Sequence, residues 1–581
     1  MNFIKPDRIE RARWWYRRNA WLLFVFGMLS GVVLAIWGFW AGEKIYFEGE
    51  NKLRLADAAY YILQMVSLNG FGPLNPEMPW QLNVARFLLP FVFFFTAIAQ
   101  LFRLVGRNGI GIQRFLMRDH VIICGSGLLA SELARQYRLG NQRIKVLFVS
   151  RENNVDGFAA LRSLGIHLHM DDVCAANAWR NLPLKRVKAI YFLDDDSQRN
   201  TAGYAALCSV SEKMASSSNE SVCPCFIHIS EPALRRWTIE LYESSAERDR
   251  SRQFQWFIFS ALERSARELF LRHGPHSDKK IQSRNESSGF LVLGASTIAE
   301  QLLLQAALLG HYPESGKMKV TLIDEHAERI VRSLQARYPA LDKDLPHQWK
   351  IEERELLPLI DLEFINARPD AIPIEHLGIL PNKEKSFQVC FVCVDDPVKA
   401  LSIVEMLQAQ HQHVEPVHWP RIVVCLSDST GTIEKMSQLS LNNSTIRWTL
   451  FDPLMFGCRL EFGEEILGRK SENDAQEIHR FFLQGNDFDW WALKESERES
   501  SRQAADHLKI KRFFPHADSD SLMSAEHSRW CAERLLAGWR YGSQKDFFHR
   551  TSPNLMRYEA LSVSEREKNR SIVELALGTK N

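Results

Sequence analysis

No cysteine stands in the first 123 residues; all ten lie at or beyond Cys124. They form neither a pair of CxxC motifs nor a regular framework, which excludes a disulfide-stapled fold and places the cysteine-bearing region in a reducing compartment. Cys223-Pro224-Cys225 and the pair Cys390/Cys393 lack a second ligand pair at zinc spacing, so no metal site is assigned. Charge of one sign is also missing in excess: 72 Lys+Arg against 70 Asp+Glu leave a formal net charge of +2. That argues against a nucleic-acid binder relying on bulk positive charge, and nucleic acid is not an expected partner. No nucleophile, base and orienting group fall into a catalytic pattern, so no catalytic residue is assigned and the chain is not read as an enzyme.

What is present is length and long apolar runs. At 581 residues the chain exceeds what one core organises, and several domains are expected. From Asn19 to Gly42 no charge occurs, and a helix of that length, at about 1.5 Å per residue, crosses a hydrocarbon layer of roughly 30 Å. Trp37, Phe39 and Trp40 supply an aromatic belt rather than a cleavage site. A second span runs from about Met78 to Leu104, interrupted by Arg86 and containing Pro90. Arg8, Arg11, Arg13, Arg17 and Arg18 precede the first span, and Arg103, Arg107, Arg114 and Arg118 follow the second. The positive-inside rule therefore puts both termini in the cytoplasm of a multi-pass inner-membrane protein.

Between the spans, Ala58 to Pro76 is uncharged but carries Gln64, Ser67, Asn69 and Asn75 and ends near Gly70-Phe71-Gly72-Pro73. A third full span would invert the charge pattern. A re-entrant segment, a short helix at about Leu55–Ser67 followed by a Gly-rich strand, satisfies both facts, because irregular backbone survives at membrane depth where it lines a wet cavity or is buried in protein. This segment resembles the pore of the two-helix potassium channel family. The resemblance implies a selectivity filter of Ser67, Leu68, Asn69, Gly70, Phe71 and Gly72, a homotetramer, and potassium or another monovalent cation in the pore. Leu68, Asn69 and Pro73 depart from the family's threonine, valine and acidic residue.

After the second span, His120–Cys124 reads as a buried strand, and Gly125-Ser126-Gly127-Leu128-Leu129-Ala130 opens a helix over Ala130–Tyr137. In that context G-x-G-x-x-A is a dinucleotide-binding turn, its glycines admitting a pyrophosphate to the helix N-terminus. Further strands are expected at Lys145–Val149, Ile166–His169 and Ala189–Leu193. Ser150 replaces the ribose-binding acid and Arg151 beside it suits an extra phosphate, while Asp171-Asp172 and Asp194-Asp195-Asp196 follow later strands. The arrangement resembles an RCK (regulator of potassium conductance) domain. That implies a ligand such as NAD(P), ATP or ADP, or a nucleotide second messenger, held by Gly125, Ser126, Gly127, Ala130, Ser150, Arg151 and Asp172.

The pattern repeats after a polar linker, His273–Ser288. Phe290–Leu293 precedes Gly294-Ala295-Ser296-Thr297-Ile298-Ala299, and Val320–Ile323 ends in Asp324, with strands at Gln388–Val394 and Arg421–Leu426. Gly294, Ser296, Ala299 and Asp324 form a second candidate nucleotide site. From about Glu464 the pattern turns helical. Glu526-His527-x-x-Trp530, Gly538-Trp539-Arg540-Tyr541-Gly542, Lys545-Asp546, Ser552-Pro553-Asn554-Leu555 and Tyr558 together resemble the RyR (ryanodine receptor repeat) domain. His527, Arg529, Arg540, Lys545 and Asp546 are expected to be exposed and to offer a site for a phosphorylated nucleotide, with Trp539 or Tyr541 stacking on a base.

The expected fold is thus multidomain: a two-helix transmembrane pore-like domain (1–118, spans near 20–42 and 78–104, re-entrant segment 55–73), two doubly wound α/β RCK-like domains (119–272 and 289–450), and a helical region with the RyR-like domain (464–581). The expected function is a ligand-gated cation channel regulated by nucleotides. The alternative is a non-conducting membrane-anchored nucleotide sensor or scaffold, serving a stress or antiphage defence system.

Overall fold

The computed structural model describes residues 8–41, 55–67, 78–115, 117–140, 144–151, 155–214, 222–244, 254–278, 288–344, 351–372, 387–411, 419–427, 435, 448–460, 466–483 and 487–577. The chain divides into two compact units, Met1–Met117 and Arg118–Asn581.

The first unit holds α1 (Arg8–Ala41), α2 (Leu55–Val66) and α3 (Trp80–Phe115). Small residues let α1 and α3 approach closely: a Cβ on Gly31 would lie 2.6 Å from Leu89 Cδ2, and one on Gly38 2.7 Å from the Leu82 backbone nitrogen. Ala35, Phe39, Ala58, Met65, Leu82, Ala85 and Leu89 form the shared interior. Large apolar side chains face outward instead of being covered, among them Phe26, Trp40, Phe87 and Phe91. Among the described residues Trp80–Ile98 is the one helical stretch long and apolar enough to cross a membrane, and Val25–Ala41 is a shorter apolar one. Of the expected filter, Ser67 is described and donates its hydroxyl to the Gln64 carbonyl at 3.0 Å. Leu68, Asn69, Gly70, Phe71 and Gly72 lie outside the described residues.

The second unit contains two six-stranded, all-parallel sheets. In the first, β1 (His120–Cys124), β2 (Lys145–Ser150), β3 (His167–Met170), β4 (Val187–Phe192), β5 (Cys223–His228) and β6 (Phe254–Phe259) take the order β3-β2-β1-β4-β5-β6. The second comprises β7 (Gly289–Leu293), β8 (Lys319–Asp324), β9 (Asp361–Asn366), β10 (Val389–Val392), β11 (Arg421–Cys425) and β12 (Trp448–Phe451), ordered β12-β11-β10-β7-β8-β9. Both are doubly wound, with the strand order reversing beside the first strand of each copy. The central strands His120–Cys124 and Gly289–Leu293 are buried along their whole length, as parallel strands covered on both faces must be.

Helices α4 (Leu128–Gly140), α5 (Val155–Ser163), α6 (Ala176–Arg180), α7 (Ser197–Met214) and α8 (Pro232–Ser244) belong to the first sheet. α9 (Ala261–His273) crosses to the second sheet, with its N-cap Ser260 accepting from the Glu263 N–H. The second sheet carries α10 (Thr297–Leu309), α11 (Ala327–Arg337), α12 (Ile351–Leu356), α13 (Pro397–His411) and α14 (Pro453–Gly457). The C-terminal module is α15 (Arg469–Phe482), α16 (Glu495–Lys511), α17 (Ser519–Leu536), a short pair β13 (Arg540–Tyr541) and β14 (Thr551–Ser552), and α18 (Val563–Leu577). One apolar core joins the second sheet to this module, since Leu303, Phe391 and Val423 share it with Ile510, Leu535 and Leu555. The cysteines of the described residues are all free.

Burial removes several imidazoles from ordinary titration. His120, His228, His273, His276 and His311 are pushed down to about 4, chiefly because a low-dielectric interior disfavours the charged ring. Once unfolded, each titrates near 6.5, so between pH 6.5 and 4 the unfolded chain binds the extra protons. Stability is therefore full above pH 6.5 and is lost as the pH falls, by about 2 kcal/mol per imidazole at pH 5. Thermal unfolding of the full chain from pH 7.5 to 5 is expected to show a falling midpoint; a flat profile across that range would contradict the buried neutral imidazoles.

Candidate functional site

The turn after β1 lies where the order of the first sheet reverses, between β1 and β4, at the carboxyl ends of the strands. Gly125 has φ +150, and a Cβ there would meet the Leu193 carbonyl oxygen at 2.6 Å and the Asp194 nitrogen at 2.8 Å. Only glycine fits so close to the neighbouring strand. The Gly125 N–H donates to Val149 O at 3.0 Å, and Ala130 is fully buried beneath the turn. Ser126 is half-buried at the mouth. Gly127 supports the close approach a pyrophosphate needs, but the space beside it is contested. A Cβ at Gly127 would fall against both carboxylate oxygens of Asp195, 2.6 Å from Oδ2 and closer to Oδ1.

The surrounding strand ends are acidic and partly neutralised. Ser150 is buried at the end of β2 and its carbonyl accepts the Asp171 N–H at 3.1 Å, while Arg151 next to it is exposed. Arg199, at the start of α7, reaches Asp172 Oδ1 at 2.8 Å and Asp194 Oδ2 at 3.6 Å, bridging the ends of β3 and β4. Burial opposes the charge on Asp172, yet the Cys174 N–H and the Arg199 guanidinium outweigh it and hold the carboxyl below its ordinary value. Asp196 Oδ1 caps α7 by accepting from Gln198 N. The three aspartates after β4 thus do three jobs: Asp194 holds Arg199, Asp195 faces Gly127, and Asp196 caps a helix. Neither the role of Arg199 nor the position of Asp195 has a sequence signal, because each depends on two strand ends brought together by the fold.

The second turn is closed by its own chain. Gly294 has φ +92, and a Cβ there would overlap Val394 and stand 2.6 Å from the Cys393 carbonyl. The Ser296 N–H, which a phosphate would need, donates to Cys393 O at 3.2 Å. Ala299 is buried, and Asp324 Oδ1 accepts from the His326 N–H rather than facing the turn as a ribose ligand would.

In the C-terminal module two of the residues expected at the surface are interior. His527 is buried, with Nε2 2.8 Å from the Met556 carbonyl. Arg529 is buried, with Nε on Glu526 Oε1 at 2.8 Å and Nη1 on Glu533 Oε2 at 2.9 Å. Glu526, the first residue of the motif, is the hub of a buried charge cluster that also takes Lys511 Nζ and His507 Nδ1, the latter at 2.9 Å. His507 Nε2 lies 2.8 Å from the His311 carbonyl of the second α/β domain. Burial alone would favour a protonated Glu526, but Arg529, Lys511 and His507 hold it well below the usual carboxylate range. Trp539 is also buried, with the Arg534 guanidinium 5.2 Å from its ring; Arg540 is exposed, and the half-buried Tyr541 gives its N–H to Glu353. His527, Arg529, Trp539, Arg540 and Tyr541 therefore do not converge on one open site.

A cavity of about 1220 Å³ lies elsewhere in the same unit, between β5, β6 and α8 of the first sheet, α9, and the C-terminal module.

Comparison with known proteins gives a local match: residues 517–579 fit the sequence model of the RyR domain family. No curated protein matches the chain significantly in sequence. Among solved structures, one described as GsuK bound to ADP is 14% identical with a TM-score of 0.34, covering 76% of this chain and 96% of that one. Another, the GsuK channel bound to NAD, is 13% identical with a TM-score of 0.35, over 77% of this chain and 82% of that one. The described fold is two Rossmann-like sheets followed by a helical module whose last 60-odd residues match the RyR domain.

The charge cluster gives a direct test. Glu526→Gln leaves Lys511 and Arg529 in the interior without their shared carboxylate, and the expected loss is about 3–5 kcal/mol of stability. Adding Lys511→Met removes one uncompensated charge and is expected to restore part of that loss in urea unfolding. Additive effects of the two changes would show that the residues are not energetically coupled.

Proposed function

We propose that the chain is a nucleotide-regulated cation channel of the inner membrane, assembled as a homotetramer with both termini cytoplasmic. The observation that carries this reading is one of connectivity. Helix α3 contains the membrane-length apolar stretch and ends at Phe115, and β1, whose carboxyl end bears the glycine turn, begins at His120. A displacement of β1 or its turn is thus passed through very few residues to the helix that would line the pore. Outward-facing Phe87 and Phe91 on α3 suit lipid better than water. The chemistry of the turn supports the ligand class. Gly125 and Gly127 permit close backbone approach, α4 offers its N-terminus, and exposed Arg151 provides a cation for phosphate. The filter assignment to Ser67–Gly72, and potassium as the ion, belong to the same proposal.

Gating then requires only that a nucleotide bind one of two states of the cytoplasmic region more tightly than the other. Leu68 and Asn69, where the potassium-channel filter has threonine and valine, favour a second reading, in which the spans anchor a nucleotide sensor and conduct nothing.

Purified protein in liposomes separates the two. Potassium or sodium flux that depends on NAD, ATP or ADP and disappears in Gly70→Ala is the expected outcome. Nucleotide binding without flux under any condition would establish the anchored sensor. A second prediction concerns affinity. The Asp195 carboxylate lies where a phosphate oxygen would approach Gly127, so Asp195→Asn removes the repulsion and is expected to tighten nucleotide binding by roughly tenfold, the equivalent of about 1.4 kcal/mol. Weaker binding in this variant would mean that Asp195 contacts the ligand favourably.

A further inference from the structure

The 1220 Å³ cavity is lined by basic and acidic side chains in equal number, and what distinguishes them is how far each is already engaged. Most of its carboxylates are already engaged. Glu263 pairs with Arg235; Asp506 and Glu499 pair with Arg267; Glu472 and Glu495 each lie 2.5 Å from Arg502. Glu268 holds Arg272 at 2.8 Å, and Glu533 is shared by Arg529 and Ser500. Glu243 and Glu497 accept the backbone N–H groups of Glu495 and Lys494 at the start of α16.

Three of its cations stand at the end of the cavity formed by α8 and the segment around β13 and β14. Arg236 and Glu240 stand one turn apart on α8, and Arg550 of the C-terminal module comes within 3.8 Å of Glu240 while donating to the Ala537 carbonyl at 3.0 Å. Lys545 Nζ sits 4.9 Å from the centroid of the Phe547 ring, and Phe547 meets Trp539 edge-on at 5.6 Å. Arg236 and Lys545 pair with no carboxylate among the described residues. Phe547 is 70% exposed, so one large aromatic face is open beside the cations.

We infer that this end of the cavity is a second ligand site, and that it takes a phosphorylated nucleoside. Arg236 and Lys545 would hold the phosphates, since guanidinium and ammonium groups without carboxylate partners gain most from an anion, and Arg550 would join them by exchanging its 3.8 Å contact with Glu240. Phe547 would carry the base, stacking being indifferent to which base it is. The site is made from two parts of the chain, α8 of the first α/β domain and the segment around β13 and β14. It is therefore complete only when the C-terminal module is seated, and its ligand binds the seated arrangement in preference to any other. The inference rests on the nucleotide-regulated reading above but uses none of the residues of the Gly125–Ala130 turn.

The experiment is equilibrium binding of radiolabelled ATP to the full chain in detergent, with inorganic triphosphate as competitor. Gly127→Val blocks the first turn, because the added carbons occupy the position of the Asp195 carboxylate and of any phosphate. Two ATP per chain are expected in the wild type and one in Gly127→Val. That remaining site is expected to weaken at least tenfold in Arg236→Glu and in Lys545→Glu, to survive Arg236→Lys and Lys545→Arg, and to weaken as salt rises. Both reversal positions are on the surface, and the conservative pair controls for folding. Loss of all binding in Gly127→Val, or residual binding indifferent to Arg236→Glu and Lys545→Glu, overturns the second site and leaves the first. A single wild-type site that ignores Gly127→Val but is lost on charge reversal instead overturns the turn as the nucleotide site. No ATP binding to any form overturns both.

Discussion

Everything in the second unit is arranged around one helix, α16, and the requirement that its buried charges be paired. Arg498 is 1% exposed, bonded to Glu495 at 2.6 Å and flanked by the rings of Trp256, Phe257 and Trp491 at 5.5–5.9 Å. One turn on, Arg502 gathers Glu472 of α15 with Glu495 and Glu499; Asp506 takes Arg267 of α9; His507 and Lys511 take Glu526 of α17. A charge left alone in such an interior costs several kcal/mol, whereas partly uncovering an apolar side chain at a seam costs a fraction of that. The ionic pairs therefore tolerate little sliding. The helix fixes the first sheet, the crossover helix and the RyR-matching segment in one register, and that register also shapes the cavity beside it.

The two sheets are tied by a second, polar contact that begins in the candidate nucleotide site. Helix α4 starts at the glycine turn and, two turns later, presents Gln136, whose amide donates to Met455 O at 3.1 Å and accepts from Leu460 N at 2.9 Å. Beside it, Tyr137 and Tyr191 share a 2.7 Å hydrogen bond, and Tyr191 also accepts the Leu467 N–H at 3.2 Å. A rigid helix with one end at the cradle and its flank bonded to Met455 and Leu460 transmits any tilt to the chain that leads to the C-terminal module. This is a physical connection with defined bonds, although two discrete states of it are what would make it a switch.

Sequence reading found the centre of each sheet and one border strand, β3, but missed the other three borders. Strands such as His120–Cys124 and Phe290–Leu293 are continuous apolar runs because both faces are covered, and a glycine turn follows each. Of the four strands of the two six-stranded sheets that escaped notice, β6, β9 and β12 are edge strands, with sequences such as Asp361-Leu-Glu-Phe-Ile-Asn366 that alternate like many loops. The fourth, β5, is interior but contains Pro224, which reads as a breaker. At the candidate site the cradle was legible and its electrostatics were not. In the C-terminal module His527 and Arg529 looked exposed because what buries them is not local: His527 meets the Met556 carbonyl 29 positions on, and Arg529 shares Glu526 with His507 and Lys511, which lie 15 to 19 positions from Glu526 on another helix. A single-helix pattern carries no information about such pairing.

The same logic explains why two copies of one turn differ in what they can do. In the second copy the N–H of Ser296 is spent on Cys393 O and Val394 crowds Gly294, so the strand end itself occupies the cradle with neutral, packed atoms that cannot leave without opening the sheet. In the first, the occupant is the carboxylate of Asp195 at the end of a rotatable side chain. Arg199 engages Asp172 and Asp194, while the Asp195 carboxylate lies against Gly127 at the helix N-terminus. An occupant that moves by a side-chain rotation can be exchanged for a ligand; one that is part of the sheet cannot. The difference between a binding turn and a structural one thus lies less in the glycines themselves than in what the adjacent strand places over them.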